Sequence, residues 1–505
     1  MGIATSSQNF ALSCRLYPSK SCSFRPAAES GPDGSAGEQS LYWGTRSDLP
    51  YREGAFPMAQ NVKTTAVGNA RWKRLIPVAI VVYIISFMDR TNIGFALNGL
   101  HQDLGIDAAQ QGLAAGIFFI GYLVLQIPGG YLAEHWSAKK FVGIMVLIWG
   151  VLAVLSGFIQ DFTQLLVVRF FLGVAEAGIW PAILVLISHW FPTAERARAY
   201  AFWMMNIAIA SIITAPLSGW ILSFSDWRWL FIIEGIFPFV IAAPLWWALI
   251  ADHPREAAWC SVQEREYIER GLAADAKAHP QQEKLGLRHV MSNTVVWRLT
   301  LVYFLIQIGF YGINIWLPHV IKTITSGSSV EVGLITAIPY VLAMVGLWYN
   351  AKAADRSGRY STHVLLSMAV GAVALVVSVA TGDNAPFLAV TLISIAVAGA
   401  LAYDGPFWAS ASRAMPVAVA GTAMGLINAV GNLGGFVGPY VGGFLQDATH
   451  GSFLATSIFL AGCLLAAGLV MLTLRRSGDR PLSVNRSQGA RSGGPEAQTT
   501  RQKTS

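Results

Sequence analysis

The sequence predicts an all-α membrane protein, with twelve transmembrane helices in two six-helix pseudo-repeats. Three observations carry this. Of 505 residues, 54% are hydrophobic and only 12% are charged, about half the charged fraction of an ordinary soluble domain. The apolar residues gather into twelve runs of roughly 20, the length that crosses a hydrocarbon core as a helix. Finally, motifs of the first half return in the second at a nearly constant offset.

In chain order the runs lie near 75–97, 110–132, 141–160, 163–188, 199–223, 229–251, 298–321, 330–351, 361–381, 386–411, 419–445 and 453–474. Their connections carry an orientation signal. Leaving the central loop aside, fifteen Lys or Arg fall in the connections and ends on one side, against Arg228 and Lys322 on the other. The positive-inside rule places the basic side, and with it both termini, in the cytoplasm, so a multi-pass protein of the inner cell membrane is expected. The net charge of +7 is dispersed over these loops and excludes a nucleic-acid footprint. Cys14, Cys22, Cys260 and Cys463 lack metal-ligand spacing and read as free thiols, and neither metal nor cofactor is expected.

Residues 1–57 are rich in Ser, Gly and Pro without a signal-peptide apolar core, and read as a disordered extension, with Met58 an alternative start. Residues 58–251 make the first six-helix half. Residues 252–297 form a cytoplasmic loop whose stretch 261–277 reads as a surface helix tethering the halves. The second half covers 298–474, and 475–505 is a disordered cytoplasmic tail. The repeat shows in GGYLAEHWSAKK (129–140) and AKAADRSGR (351–359), whose acids Glu134 and Asp355 are 221 residues apart. Each acid is followed by bases, Lys139 and Lys140 in the first copy, Arg356 and Arg359 in the second. These read as latches at cytoplasmic helix ends, with plain orientation charge as the alternative. Parallel six-helix repeats with a site at the bilayer midplane are the pattern of alternating-access transporters.

Two spans hold charges deep inside. The fourth, RFFLGVAEAGIWPAILVLISHW, contains Arg169 and Glu176, whose seven-residue spacing puts both on one helix face near Gly173 and Trp180. The first contains Asp89 and Arg90. A charge at the bilayer centre costs roughly 2.5–3.5 kcal/mol, so such groups usually line a cavity and serve function. Asp89 and Glu176 are therefore expected to carry protons. Arg169, two turns from Glu176, modulates its charge in a structural or gating role. Arg90 offers a planar fork for a carboxylate. The bland alternative is an ion pair that only locks helices together. In span seven, FYGINIWLPHVI supplies Tyr311 and Asn314 as a pocket wall beside a helix-distorting Pro318, with Trp316 either in that wall or at the membrane interface, and His319 interfacial. Asn428 and Asn432, four apart in span eleven, suit interhelical hydrogen bonds. Asp404, beside the Gly405–Pro406 break, either tunes substrate charge preference or meets a neighbouring helix, and Glu234 reads as structural.

Taken together, FMDRTNIGFA (87–96), GYLVLQIPGG (121–130), RFFLGVAEAGIWPA (169–182), WFPTAERARA (190–199), WRWLFIIEGIFP (227–238) and GPFWA (405–409) resemble the anion:cation symporter family of the major facilitator superfamily. That family includes permeases for phthalate, tartrate and sugar acids. The resemblance covers residues 70–476 and implies the major facilitator fold. It implies that Asp89 and Glu176 couple protons, that Arg90 coordinates the anion, and that Tyr122, Trp408 and Asn428 line the pocket. The first latch departs from the superfamily signature at Glu134, His135 and Ser137, and the second is nearer to it. The function so implied is proton-coupled import of an organic carboxylate by a monomer whose partners are a small anion, protons and lipid. A multidrug or organic-ion exporter of the same fold and a non-transporting receptor are the alternatives. An enzyme is not expected, because no nucleophile–base pair or phosphate-binding loop is present.

Overall fold

The computed structural model describes residues 68–278, 290–415 and 417–475. The expectations for 1–57, for a start at Met58 and for the tail at 476–505 lie outside the described residues.

Among the described residues, ten stretches are long and apolar enough to cross a membrane. One of them, Ala108–Phe158, holds two spans, helices Ala108–Leu132 and Ala138–Leu155. Ser137 separates them. Its backbone is extended (φ −175°, ψ 120°) and its hydroxyl caps the second helix by accepting from the Lys140 N–H at 2.9 Å. Helices Val417–Gly431 and Gly434–Ala448 make a further span, so the twelve expected runs are all present as helices. In order, the others are Ala70–Leu104 (span 1), Phe162–Trp190 (span 4), Thr193–Ile221 (span 5), Trp227–Leu249 (span 6), Thr294–Thr325 (span 7), Ser329–Ser357 (span 8), Tyr360–Thr381 (span 9), Pro386–Arg413 (span 10) and Phe453–Leu474 (span 12).

Five spans are interrupted: span 1 at Asn92, span 4 at Gly178, span 5 at Met205, span 10 around Tyr403 and span 11 around Leu433. Spans 4 and 5 correspond to spans 10 and 11 in the repeat, so the interruptions repeat with the fold. The backbone stays in the right-handed helical region at Asn92, Gly178, Met205, Tyr403 and Leu433, so each is a local irregularity in a span that continues. Span 7, the counterpart of span 1, is continuous, and Pro318 does not interrupt it.

The expected surface helix is Val262–Ala278, and it docks on the first half. The buried carboxylate of Glu264 accepts from the N–H groups of Ala70 and Arg71, both at 3.1 Å, capping span 1 from outside it. The Arg71 guanidinium bridges Glu264 and Glu195, each at 2.8 Å. A residue counted above as a loop charge is thus a buried clamp.

Spans 1 and 7, 2 and 11, and 5 and 8 meet on the side away from the basic loops, here called the outer side. The approach is backbone to backbone. A Cβ on Gly443 would lie 2.0 Å from the Ala108 carbonyl oxygen, and one on Gly112 would lie 2.2 Å from that of Pro439. Asp447 of span 11 adds a carboxylate at the start of span 2, accepting from Ala108 and Ala109 N–H at 3.2 and 2.7 Å. His319, expected at the interface, instead joins Asn98 of span 1 at 2.9 Å. These contacts shut the outer side. Gly443→Val is therefore expected to hold it open. A cysteine at Thr214, buried in the cleft beneath the seal, should then react at least tenfold faster with a membrane-impermeant maleimide added from that side.

Candidate functional site

Span 1 organises the site. Beside the irregularity of this span at Asn92, Arg169 donates Nη1 to Asp89 O at 3.0 Å and Nη2 to Arg90 O at 3.3 Å. This corrects the pairing that sequence spacing suggested. Arg169 and Glu176 share a helix face, but the guanidinium donates instead to these carbonyls of the neighbouring helix. Trp180, past the irregularity at Gly178, meets Trp203 of span 5, with ring centres 6.1 Å apart.

The ion partner of Glu176 is Arg90, Nη2 to Oε2 at 3.2 Å. The same oxygen accepts from Ser86 Oγ at 2.8 Å, while Oε1 is buried without a hydrogen-bond partner. Arg90 turns its other arm to the second half, donating Nη1 to the Tyr311 hydroxyl at 3.2 Å. Its guanidinium lies 4.7 Å from the centre of the Tyr122 ring and 5.1 Å from that of Phe118, an arrangement of cation against aromatic faces. Close approach of spans 2 and 4 permits this. A Cβ on Gly173 would sit 2.0 Å from the Phe118 carbonyl oxygen, so only glycine lets span 2 come near enough to place these rings.

Asp89 points elsewhere, as successive residues on a helix must, being about 100° apart. Its Oδ2 accepts from Trp149 Nε1 of span 3 at 2.6 Å, and its Oδ1 is buried without a partner. A buried acceptor left unbonded costs about 1–3 kcal/mol. Both acidic side chains thus present an open oxygen where a proton or water can be accommodated. Glu234 is fully bonded, to Asn92 Nδ2 at 3.0 Å and Ser218 Oγ at 2.8 Å, and holds the irregularity of span 1 against span 5.

Of the remaining sequence candidates, the structure brings Tyr122 and Tyr311 to Arg90 and sets the others apart from it. Asn314 donates to Tyr340 at 2.6 Å. Trp316 is buried and donates to Pro439 O, which settles its alternatives against a membrane-interface anchor. Asn428 accepts from Tyr303 at 3.3 Å, and Asn432 from Gln307 at 3.0 Å, forming the interhelical bonds expected of the pair. Trp408 packs on Tyr303 with ring centres 5.2 Å apart.

At the cytoplasmic helix ends, Asp252 binds the Ser137 hydroxyl (2.5 Å) and the Lys139 N–H (2.8 Å), a role sequence reading gave to no residue. Glu134 and Lys140 are exposed there, and the Lys139 ammonium lies over Trp247. Asp355 accepts from Tyr360 at 3.1 Å, and Arg356 and Arg359 are exposed. Ser86 was missed although it precedes Arg90 by one turn on the same face, a spacing that a helical projection displays. Trp149, alone on an apolar span, gives no such signal.

A family model described as Major Facilitator Superfamily matches residues 79–439. The chain belongs to the major facilitator superfamily. It is 32% identical over 410 residues to a protein of Agrobacterium vitis named "Putative tartrate transporter", covering 80% of this chain and 90% of that one. A "Quinolone resistance transporter" of Acinetobacter baumannii is 30% identical over 406 residues, with 79% and 92% covered. Among solved structures, a D-xylose–proton symporter superposes with a TM-score of 0.64 at 17% identity, covering 79% of this chain and 97% of that one, a likeness of fold alone. The resemblance to the anion:cation symporter branch is thereby borne out, and the protein is a multi-pass membrane transporter.

Within this member of the superfamily, Arg169→Met should remove two charge-assisted hydrogen bonds from buried carbonyls, each contributing about 1.5 kcal/mol or more. A loss of roughly 3 kcal/mol is expected, read as a lowered Tm of the purified protein, with Arg169→Lys intermediate because an ammonium cannot span both oxygens.

Proposed function

We propose that this transporter imports an organic carboxylate together with protons across the inner membrane, working as a monomer with both termini in the cytoplasm. The observation that carries the reading is the arrangement of Arg90, held between Glu176 of the first half and Tyr311 of the second. An arginine stays charged at any working pH, and one buried without an anion is costly, breaking such a pair being worth roughly 3–5 kcal/mol. Unlike Arg169, Arg90 donates to no backbone carbonyl among the described residues and therefore keeps a negative partner. When Glu176 is ionised it is that partner. When Glu176 takes a proton, Arg90 is released to a substrate carboxylate, which its fork binds through two parallel hydrogen bonds. One cation shared by two competing anions couples proton to substrate. Asp89, whose backbone carbonyl lies under Arg169, carries the second proton. Rocking of the halves then moves the loaded site from one side to the other. The tartrate-named relative supports a carboxylate as cargo.

Tartrate uptake into proteoliposomes driven by an imposed pH gradient tests this. Glu176→Gln should abolish gradient-driven accumulation while sparing exchange of substrate across the membrane, and full accumulation in that variant would rule out its coupling role. Arg90→Lys should weaken carboxylate binding tenfold or more through loss of the bidentate fork, with affinity unchanged if Arg90 does not touch the anion. The quinolone-named relative favours a second reading, export of an organic ion, and drug efflux from cells without carboxylate uptake would support it.

A further inference from the structure

A second polar cluster lies in the second half, and the mechanism above leaves it unused. Its centre is Asp404, at the start of the inner segment of span 10. One oxygen, Oδ1, accepts from Trp408 Nε1 at 3.1 Å. The other makes no hydrogen bond among the described residues, and the side chain is half-buried. Asp404 also has no ion partner among the described residues. The nearby cations on spans 8 and 10 are engaged elsewhere, Lys352 over the Trp348 ring at 4.6 Å and Arg413 over that of Tyr360 at 4.3 Å.

Around this carboxylate stand aromatic rings. Trp408 lies 5.2 Å from Tyr303 and 5.1 Å from Phe407, and Phe407 stacks on Tyr303 at 5.4 Å. Aromatic faces beside an unpaired carboxylate form a surface that attracts a cationic nitrogen and disfavours a second anion. The cluster is connected to Arg90 along span 7. Tyr303, Gln307 and Tyr311 follow at four-residue spacing. Trp408 packs on the first, the Tyr403 hydroxyl donates to the second at 3.3 Å, and Arg90 donates to the third. Eight residues of helix correspond to about 12 Å of rise. A positive centre and a negative centre thus occupy the two ends of one stripe.

We propose that Asp404 is a specificity-determining residue that receives a protonated amine or ring nitrogen, so that the carried molecule is an elongated zwitterion with its carboxylate at Arg90. This rests on the carboxylate reading of the site and names its substrate class.

Three probes of similar shape separate the possibilities: 4-(aminomethyl)benzoate, 4-methylbenzoate and terephthalate, titrated into the purified full chain. The zwitterion is expected to bind at least tenfold tighter than 4-methylbenzoate, with terephthalate weakest. Asp404→Asn, which keeps an acceptor for Trp408, should bring the first two within threefold and strengthen terephthalate, while Asp404→Glu should retain the preference. Equal binding of the first two by the unaltered protein, or a preference that survives Asp404→Asn, overturns the proposal and leaves the carboxylate reading standing. Failure of all three to bind while tartrate binds overturns the proposal alone, and failure of tartrate as well overturns the carboxylate reading with it.

Discussion

Arg90 has to be neutralised wherever it goes, and the rest of the site is arranged around that constraint. A buried guanidinium cannot shed its proton and needs acceptors for its charge, carbonyls in the case of Arg169 and a carboxylate in that of Arg90, which has no carbonyl partner among the described residues. Glu176 meets the requirement from span 4, Ser86 steadies the same carboxylate oxygen, and Tyr122 and Phe118 cover the cation with their faces. Replacing Glu176 by a substrate carboxylate exchanges one ion pair for another. Such an exchange requires little net free energy, as a carrier that must also let go of its cargo needs.

The position of Arg90 depends in turn on the interruption of span 1. The helix continues past Asn92 with a local irregularity, and the carbonyls of Asp89 and Arg90 just before it accept from Arg169. Two arginines one helix apart therefore do different work, one fixing the backbone and the other available to an anion. Glu234 secures the far side of the same irregularity through Asn92. The interruption is thus held from two neighbouring spans, and Asp89 and Arg90 are turned toward different surroundings by successive positions on one helix.

Much of this was legible in the sequence. Hydrophobic length alone set out the twelve spans, because hydrocarbon thickness leaves little freedom in helix length. The cost of intramembrane charge singled out Asp89, Arg90, Arg169 and Glu176 before any coordinate was known. What spacing cannot supply is the partner across a helix interface. A seven-residue interval places Arg169 and Glu176 on one face, yet it says nothing of the carbonyls and guanidinium that face them from span 1. The interruption at Gly178 was equally hidden, since a glycine within an apolar run is as often a packing residue as a break. Asp252, which caps span 3, lies over a hundred residues from the helix it serves, and only the closed path of the first half brings it there.

The outer seal supplies the other requirement for transport, that the site open to one side at a time. Close glycine–backbone approaches, the His319–Asn98 contact and a small apolar cluster of Ile93, Leu97, Ile315 and Trp316 make it up, and the Asp447 contact at the head of span 2 is made or lost as a unit. The Glu176 carboxylate and the substrate carboxylate compete for a single arginine, so that a proton on Glu176 promotes substrate binding, and this coupling is read most directly in the dissociation constant of tartrate as a function of pH, in the unaltered protein and in Glu176→Gln. Affinity should fall about tenfold per pH unit once Glu176 ionises, the slope of a one-proton linkage, and Glu176→Gln should flatten this dependence. A pH-independent affinity in the unaltered protein, or the same slope in both, would contradict it.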